Sequence, residues 1–320
     1  MLLSVLYEEL KETNSVDPRW SFSGLTDDQI EKLNRHGTAF YRGKVREVIG
    51  SGEKIEILHS DRLSAFDRHI GLVPQKGVIL AELSEFWLKK ATEVVATHLI
   101  ERRDPRTILV KNCQPVKVEV VVRGYLAGSM LRAYQNGERN FCGQKLPEGL
   151  HAYGRLPQPM ITPTTKAEIY EHDENTTEEE ILSKGICTPS EWGFIKEKAL
   201  QLFAMGQEVY AQKGWLMCDT KYEFGRLSDG SVILIDELHT PDSSRLWVAG
   251  DYEERLASSV PPRMFDKENV RRFLIENGFQ GQGQPPQVPT NVLVELGQNY
   301  LTVAEALTGR ELEAYTPSES

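Results

Sequence analysis

The chain has few cysteines, no long apolar run and no basic excess. Its four cysteines, Cys113, Cys142, Cys187 and Cys218, stand about 30 to 45 residues apart and form no CxxC unit, which argues against both a zinc site and a disulfide framework. Reduced thiols in a cytoplasm are the expectation. No stretch approaches the roughly 18 to 20 apolar residues of a membrane span, so no membrane partner is expected. The opening "MLLSVLYEELKETNSV" lacks a basic n-region and a small-residue cleavage site, and acidic residues arrive by Glu8, which reads as a soluble, untargeted protein. With 47 acidic against 37 basic residues and a net charge of −10, a duplex-binding surface is disfavoured, because phosphate neutralisation needs basic charge. The expected partners are small molecules, not nucleic acid. No internal repeat is evident, and nothing in the sequence fixes an oligomeric state.

What is present is a chain of 320 residues, 40% hydrophobic, long enough for one large or two ordinary domains. Residues 1–36 read as a helical N-terminal extension in which Thr26 caps the run "LTDDQIEKLNR". Residues 37–124 read as a β-rich lobe, with "KVREVIGSGEKIEILHSD" forming a hairpin through its Gly-Ser-Gly. Residues 125–320 read as a mixed lobe. Its Gly- and Pro-rich stretch 137–165 suggests a long ordered loop or a crossing between two lobes, and Ile195, Ala199, Leu202, Phe203, Gly206, Val209 and Tyr210 recur at helical spacing. The predicted fold is a two-lobed α+β enzyme with its site in the cleft.

Chemistry concentrates in "CDTKYEFGRLSDGSVILIDE", residues 218–237. Strand alternation puts Asp219, Lys221 and Glu223 on one face and Thr220, Tyr222 and Phe224 on the other. A two-residue Asp229-Gly230 turn would set Glu223 opposite Asp236. Two directly opposed carboxylates repel, and a Mg²⁺ shared with nucleotide phosphates and water would relieve them. Neutralisation by Lys221 in an ordinary ion cluster is the competing account. It is weakened by the apolar "VILID", because buried unpaired carboxylates are costly.

Other motifs are individually weaker. "RGKV", residues 42–45, precedes a strand and is no Walker A loop; alone it also suits a basic surface turn. "VEVVVRGYLAGS", residues 118–129, runs as a strand into an Arg and a Gly-Ser turn, a plausible phosphate cradle or merely a solvated strand end. "DRLSAFD", residues 61–67, and "TTKAEIYEHDENTT", residues 164–177, also read as a structural turn and a solvated loop.

Together, "YRGKVREV", "VEVVVRGYLAGS", "DTKYEFG" and "IDELHTPDSSRLW" resemble the phosphoribosylaminoimidazole-succinocarboxamide (SAICAR) synthetase family of purine biosynthesis. The resemblance runs from about Tyr41 to Asn277, and the middle segment looks like the family's longer form. Glu47 stands where the family often has Asp, and Cys218 where an aliphatic residue is usual. The resemblance implies an ATP-dependent, amide-forming ligase with Mg²⁺. The carboxylate of carboxyaminoimidazole ribonucleotide would be activated by ATP, then attacked by the amine of L-aspartate. It further implies that Gly43, Lys44 and Val45 lie over the ATP phosphates, with Glu119 by the adenine end. Lys221 and Asp219 would be catalytic, with Lys221 also on ATP, and Glu223 and Asp236 would hold the metal. Arg123, Ser129 and Arg245 would hold the ribonucleotide phosphate. Ser64 and Asp67 would border the substrate pocket, and Lys166, His172 and Asp173 would cover it. A small-molecule kinase using the same Mg-ATP site is the alternative function.

Overall fold

The computed structural model describes residues 24–35, 39–166 and 174–312. They form two compact units. The first contains the residues up to Lys89, His98–Asn112 and the residues from Asp266 onward; the second contains Lys90–Thr97 and Cys113–Phe265.

The first unit begins with α1 (Asp27–Arg35). Thr26 caps it: its Oγ1 accepts from Gln29 N at 3.3 Å while Gln29 Oε1 accepts from Thr26 N at 2.8 Å, a reciprocal capping box. Strands β1 (Ala39–Arg42), β2 (Arg46–Ser51) and β3 (Lys54–His59) form an antiparallel meander, with the expected hairpin between β2 and β3. β4 (Arg62–Ala65) and β5 (Arg68–Leu72) are joined by Phe66 and Asp67, with φ of 52° and 59°. Two successive left-handed residues match the right-handed strand twist that a two-residue hairpin needs. After α2 (Lys76–Ala91), β6 (Leu99–Arg102) and β7 (Thr107–Lys111) complete a sheet ordered β1-β2-β3-β7-β6.

The second unit is built on β8 (Gln114–Pro115), β9 (Val118–Tyr125), β12 (Arg155–Thr165), β13 (Trp215–Arg226), β14 (Val232–Ile235) and β15 (Ser244–Val248). The small hairpin β10 (Asn140–Phe141) and β11 (Gln144–Lys145) precedes β12. Strand order is β12-β9-β13-β14, and β15 and β8 also pair with β13. Helices are α3 (Gly128–Gln135), α4 (Glu178–Ser183), α5 (Pro189–Ala211) and α6 (Tyr252–Ala257). Thr188 and Glu191 form a capping box ahead of Pro189 in α5, and Ile195, Ala199, Leu202, Phe203, Gly206 and Tyr210 are buried along it. α5 lies against the Thr220–Tyr222–Phe224 face: a Cβ on Gly124 would sit 3.2 Å from Phe203. The opposite face is left for the charged side chains.

The chain returns to the first unit with α7 (Glu268–Glu276) and α8 (Thr290–Thr308). Phe279 packs edge-on against Phe66 at 6.2 Å, and a Cβ on Gly297 would lie 3.2 Å from Val73. These boundaries differ from the expected divisions at 36 and 124. β9 hydrogen-bonds to β12 and β13, and α7 and α8 pack back on the first unit, so neither unit follows chain order. The stretch 137–165 is a loop only in part, since its last eleven residues are β12 and residues 140–145 form the β10–β11 hairpin. Its prolines are tolerated because β12 is an edge strand with a register break between Arg155 and Met160. Among the described residues no helix is long and apolar enough to cross a membrane.

Candidate active site

Rows of side chains centred on Asp219, Lys221 and Glu223 cross the charged face of the second unit's sheet, because residues paired between strands share a face. In the first row Asp219 pairs with Arg123 of β9 on one side and with Arg245 of β15 on the other. Both guanidiniums reach the same oxygen: Arg123 Nη1 is 3.0 Å and Arg245 Nη1 2.6 Å from Asp219 Oδ2. Arg123 also donates to Thr162 Oγ1 at 2.9 Å and to Ser129 Oγ at 3.1 Å. Burial lowers the Arg123 pKa, and the Asp219 carboxylate opposes that shift. Gly128, at a left-handed φ of 57°, lets the chain pass close to this group: a Cβ would lie 2.4 Å from Arg245 Nη2 and displace it. The structure therefore brings Arg123, Ser129 and Arg245 together around Asp219.

In the next row Lys221 pairs with Val121. Its ammonium is 2.7 Å from Glu119 Oε1, 2.5 Å from Glu223 Oε1 and 3.9 Å from Asp236 Oδ2. Burial by itself would lower the Lys221 pKa, but Glu223, then Glu119 and Asp236, hold it well above the usual lysine range. Lys166 donates to the other Glu223 oxygen. Glu119 thus sits on Lys221 and Thr164 Oγ1, the latter at 3.5 Å; the expected placement at the adenine end did not anticipate this.

The expected hairpin register is overturned. Glu223 pairs with Ile235, not Asp236. Leu227 N donates to Ser231 O and Gly230 N to Leu227 O, both at 2.9 Å, with Gly230 at φ 84°. The Asp-Gly pair therefore ends a three-residue loop with glycine in the left-handed bulge position, one residue longer than the turn expected. Strict alternation would then turn Asp236 away from Glu223. Its own φ of 64° breaks the alternation just past β14, and its carboxylate still reaches Lys221.

Behind this face, Tyr222 OH and His239 Nε2 are 2.6 Å apart, and Tyr210 OH donates to His239 O. Burial lowers the His239 pKa to about 3 and raises that of Tyr222 well above its usual value. This support was not read from the sequence; positions 220, 222 and 224 had signalled only a packed face.

Within the first unit, Gly43, Lys44 and Val45 form the turn between β1 and β2, closed by Gly43 N donating to Arg46 O at 2.8 Å. Lys44 Nζ is 2.5 Å from Asp67 Oδ1. Ser64 pairs with His69 in the β4–β5 hairpin. His172 and Asp173 lie outside the described residues.

Glu119, Glu223 and Asp236 bring three negative charges against the two ammonium groups of Lys221 and Lys166. Oxygen donors with a net negative charge fit a hard divalent cation. Among the described residues no three carboxylate, imidazole or thiol groups gather closely enough to hold a metal by themselves. These residues would thus supply only part of the coordination of a divalent cation, with phosphate and water oxygens to complete it.

The SAICAR synthetase family model matches residues 39–288. The chain belongs to the SAICAR synthetase family. It is 41% identical over 275 residues to the phosphoribosylaminoimidazole-succinocarboxamide synthase of Bacteroides fragilis, covering 85% of this chain and 87% of the relative. It is 39% identical over 283 residues to the chloroplastic enzyme of Arabidopsis thaliana, covering 87% and 68%. Among solved structures it matches SAICAR synthase from Saccharomyces cerevisiae complexed with SAICAR, at 27% identity and a TM-score of 0.75, covering 91% of this chain and 99% of that one. The activity is that of the family, an ATP-dependent ligase forming SAICAR in purine biosynthesis, and the kinase alternative is not favoured.

Proposed function

We propose that the chain condenses the carboxylate of carboxyaminoimidazole ribonucleotide with L-aspartate in the cytoplasm, with ATP and Mg²⁺, and that the three rows divide the work. The observation that carries this reading is the order of groups along β13: the arginine clamp at Asp219, the caged ammonium at Lys221 and the carboxylates from Glu223 onward. Asp219 and Glu223 are four residues apart, about 13 Å along a strand. That is the scale of a ribonucleotide from its phosphate to its base.

A carboxylate is a poor electrophile at neutral pH. Its oxygen attacks the γ-phosphorus of ATP, the bond to the β-phosphate oxygen breaks, and ADP leaves. The aspartate nitrogen then attacks the acyl carbon, inorganic phosphate departs and the nitrogen loses a proton. Arg123, Ser129 and Arg245 orient the ribonucleotide through its 5′-phosphate, where a planar fork gives two-point contact. Lys221 and Lys166 lie where negative charge gathers on the transferring oxygens, and a fixed cation there stabilises the transition state more than the ground state. Arg123 and Arg245 both occupy Oδ2 of Asp219; its Oδ1 is assigned to the amine of L-aspartate. Gly43, Lys44 and Val45 are assigned to the ATP phosphates, and Ser64 and Asp67 to the substrate. Mg²⁺, held by Glu223 and Asp236, would neutralise phosphate charge.

Incubation with Mg-ATP and the ribonucleotide, with and without L-aspartate, tests the reading. It predicts ADP release with amide product only when aspartate is present. Phosphoryl transfer that ignores aspartate would refute it.

A further inference from the structure

The loop carrying Lys44 is fastened from below by a side chain to which the proposed reaction gives no part. Arg62 Nε donates to Lys44 O at 3.2 Å and Arg62 Nη2 to Gly43 O at 3.1 Å. Its third nitrogen, Nη1, donates to Glu47 Oε1 at 2.6 Å. Glu47 is fully buried and is also 3.6 Å from Arg42 Nε. One guanidinium thus spans two successive loop carbonyls and a carboxylate on the strand after the loop. The next carbonyl is secured as well: Val45 O accepts from Ser60 Oγ at 2.7 Å and from Ser60 N at 3.2 Å.

The segment before α1 closes this assembly. Arg42 donates to Leu25 O. Gly24, at φ 113°, lies so close that a Cβ there would be 2.1 Å from Arg62 Nη1 and 2.4 Å from Glu47 Oε1. Only glycine combines that φ with that approach.

The chemistry of a phosphate-covering loop gives the arrangement its purpose. Backbone carbonyls carry partial negative charge and repel phosphate, whereas an ammonium attracts it. Satisfying the carbonyls of residues 43 to 45 from within fixes them away from an anion and holds Lys44, whose ammonium rests on Asp67, on a rigid turn, so less order is lost when nucleotide binds. We propose that Arg62, oriented by Glu47 and covered by Gly24 and Leu25, is a positioning residue that preorganises the Gly43–Lys44 loop for the phosphates of ATP. The inference rests on the assignment of that loop to ATP. It gives a task to Glu47 and to the residues just before α1.

Arg62→Lys keeps the charge but cannot span three acceptors. Its KM for ATP should rise about tenfold, the scale of losing one charged hydrogen bond. The KM values for ribonucleotide and aspartate should stay within about twofold, with Tm nearly unchanged. Gly24→Val, which presses on the same guanidinium, should give the same split of KM values, with a lower Tm of its own because φ 113° is strained for valine. Lys44→Ala separates the two levels of the argument. If its KM for ATP is normal, the loop leaves the nucleotide site and this inference falls with that reading. If it is raised while Arg62→Lys and Gly24→Val are both normal, the inference alone is overturned. A joint rise of all three KM values with a lower Tm in both brace variants would make the contact merely structural and would also overturn it.

Discussion

Arg245 donates to Asp219 Oδ2 at 2.6 Å from the strand paired directly with it, and Arg123 donates to the same oxygen from the strand on the other side. Asp219 holds Arg245 and Arg123 side by side although the two guanidiniums repel. Arg245→Lys loses the planar fork and should raise the KM for the ribonucleotide about tenfold or more, with ATP affinity nearly unchanged. Asp219→Asn should do the same and also lower Tm, because two arginines lose a shared buried counter-ion. Steady-state kinetics and melting on the same preparations check both. An unchanged ribonucleotide KM in Arg245→Lys would remove the arginine from the site.

Lys221 is caged by three carboxylates, so its removal should act twice. Lys221→Met should cut turnover on the order of 10² to 10³ while KM values move little, and it should melt lower because Glu119 and Glu223 lose their shared cation. Turnover corrected for the folded fraction separates the effects. A normal corrected rate would place the lysine in the scaffold alone.

Much of this face was legible in the sequence. Alternation along residues 219–225 identified the charged side, whereas the grouping of Arg123 with Ser129 came from the family resemblance, since the Arg and Gly-Ser turn alone also suited a solvated strand end. Strand neighbours were not legible, because local alternation carries no information about which distant strand lies alongside. Arg123 and Arg245 flanking Asp219, and Glu119 beside Lys221, follow from the order β12-β9-β13 with β15. The register of the β13–β14 hairpin failed for a local reason. An Asp-Gly pair suits a two-residue turn and also the end of a three-residue loop, and Gly230 takes the second. The left-handed Asp236 then brings its carboxylate to 3.9 Å from Lys221 Nζ instead of opposite Glu223. Nor could chain order reveal that α7 and α8 return to the first unit.

The Gly230 conformation gives its own prediction. At φ 84° with open space around its Cα, replacement is resisted by the backbone and not by crowding. Gly230→Val should cost about 1 to 2 kcal/mol of stability in urea denaturation, with normal turnover of the folded enzyme. No loss would mean that the loop adopts another turn.

Acid should weaken the fold through His239. Burial lowers its folded pKa from 6.5 to about 3, so between those values the unfolded chain binds a proton that the folded chain excludes. Stability from this group is intact above about 6.5 and falls as pH drops toward 3, with a limiting slope of about 1.4 kcal/mol per pH unit. Glu191 adds a second loss from about 4.5 down to about 2, because the hydrogen bond from Arg226 depresses its pKa. Urea denaturation across pH should show a slope between pH 6 and 4 that is reduced in His239→Gln. The same slope in that variant would clear His239.

The most direct test of the central claim follows an oxygen atom. With oxygen-18 in the carboxylate of the ribonucleotide, activation by the γ-phosphoryl group over Lys221 and Glu223 predicts that inorganic phosphate, read by mass spectrometry, carries one labelled oxygen for each amide formed. Unlabelled phosphate released alongside amide product would contradict the account, because the carboxylate oxygen would never have been bonded to phosphorus.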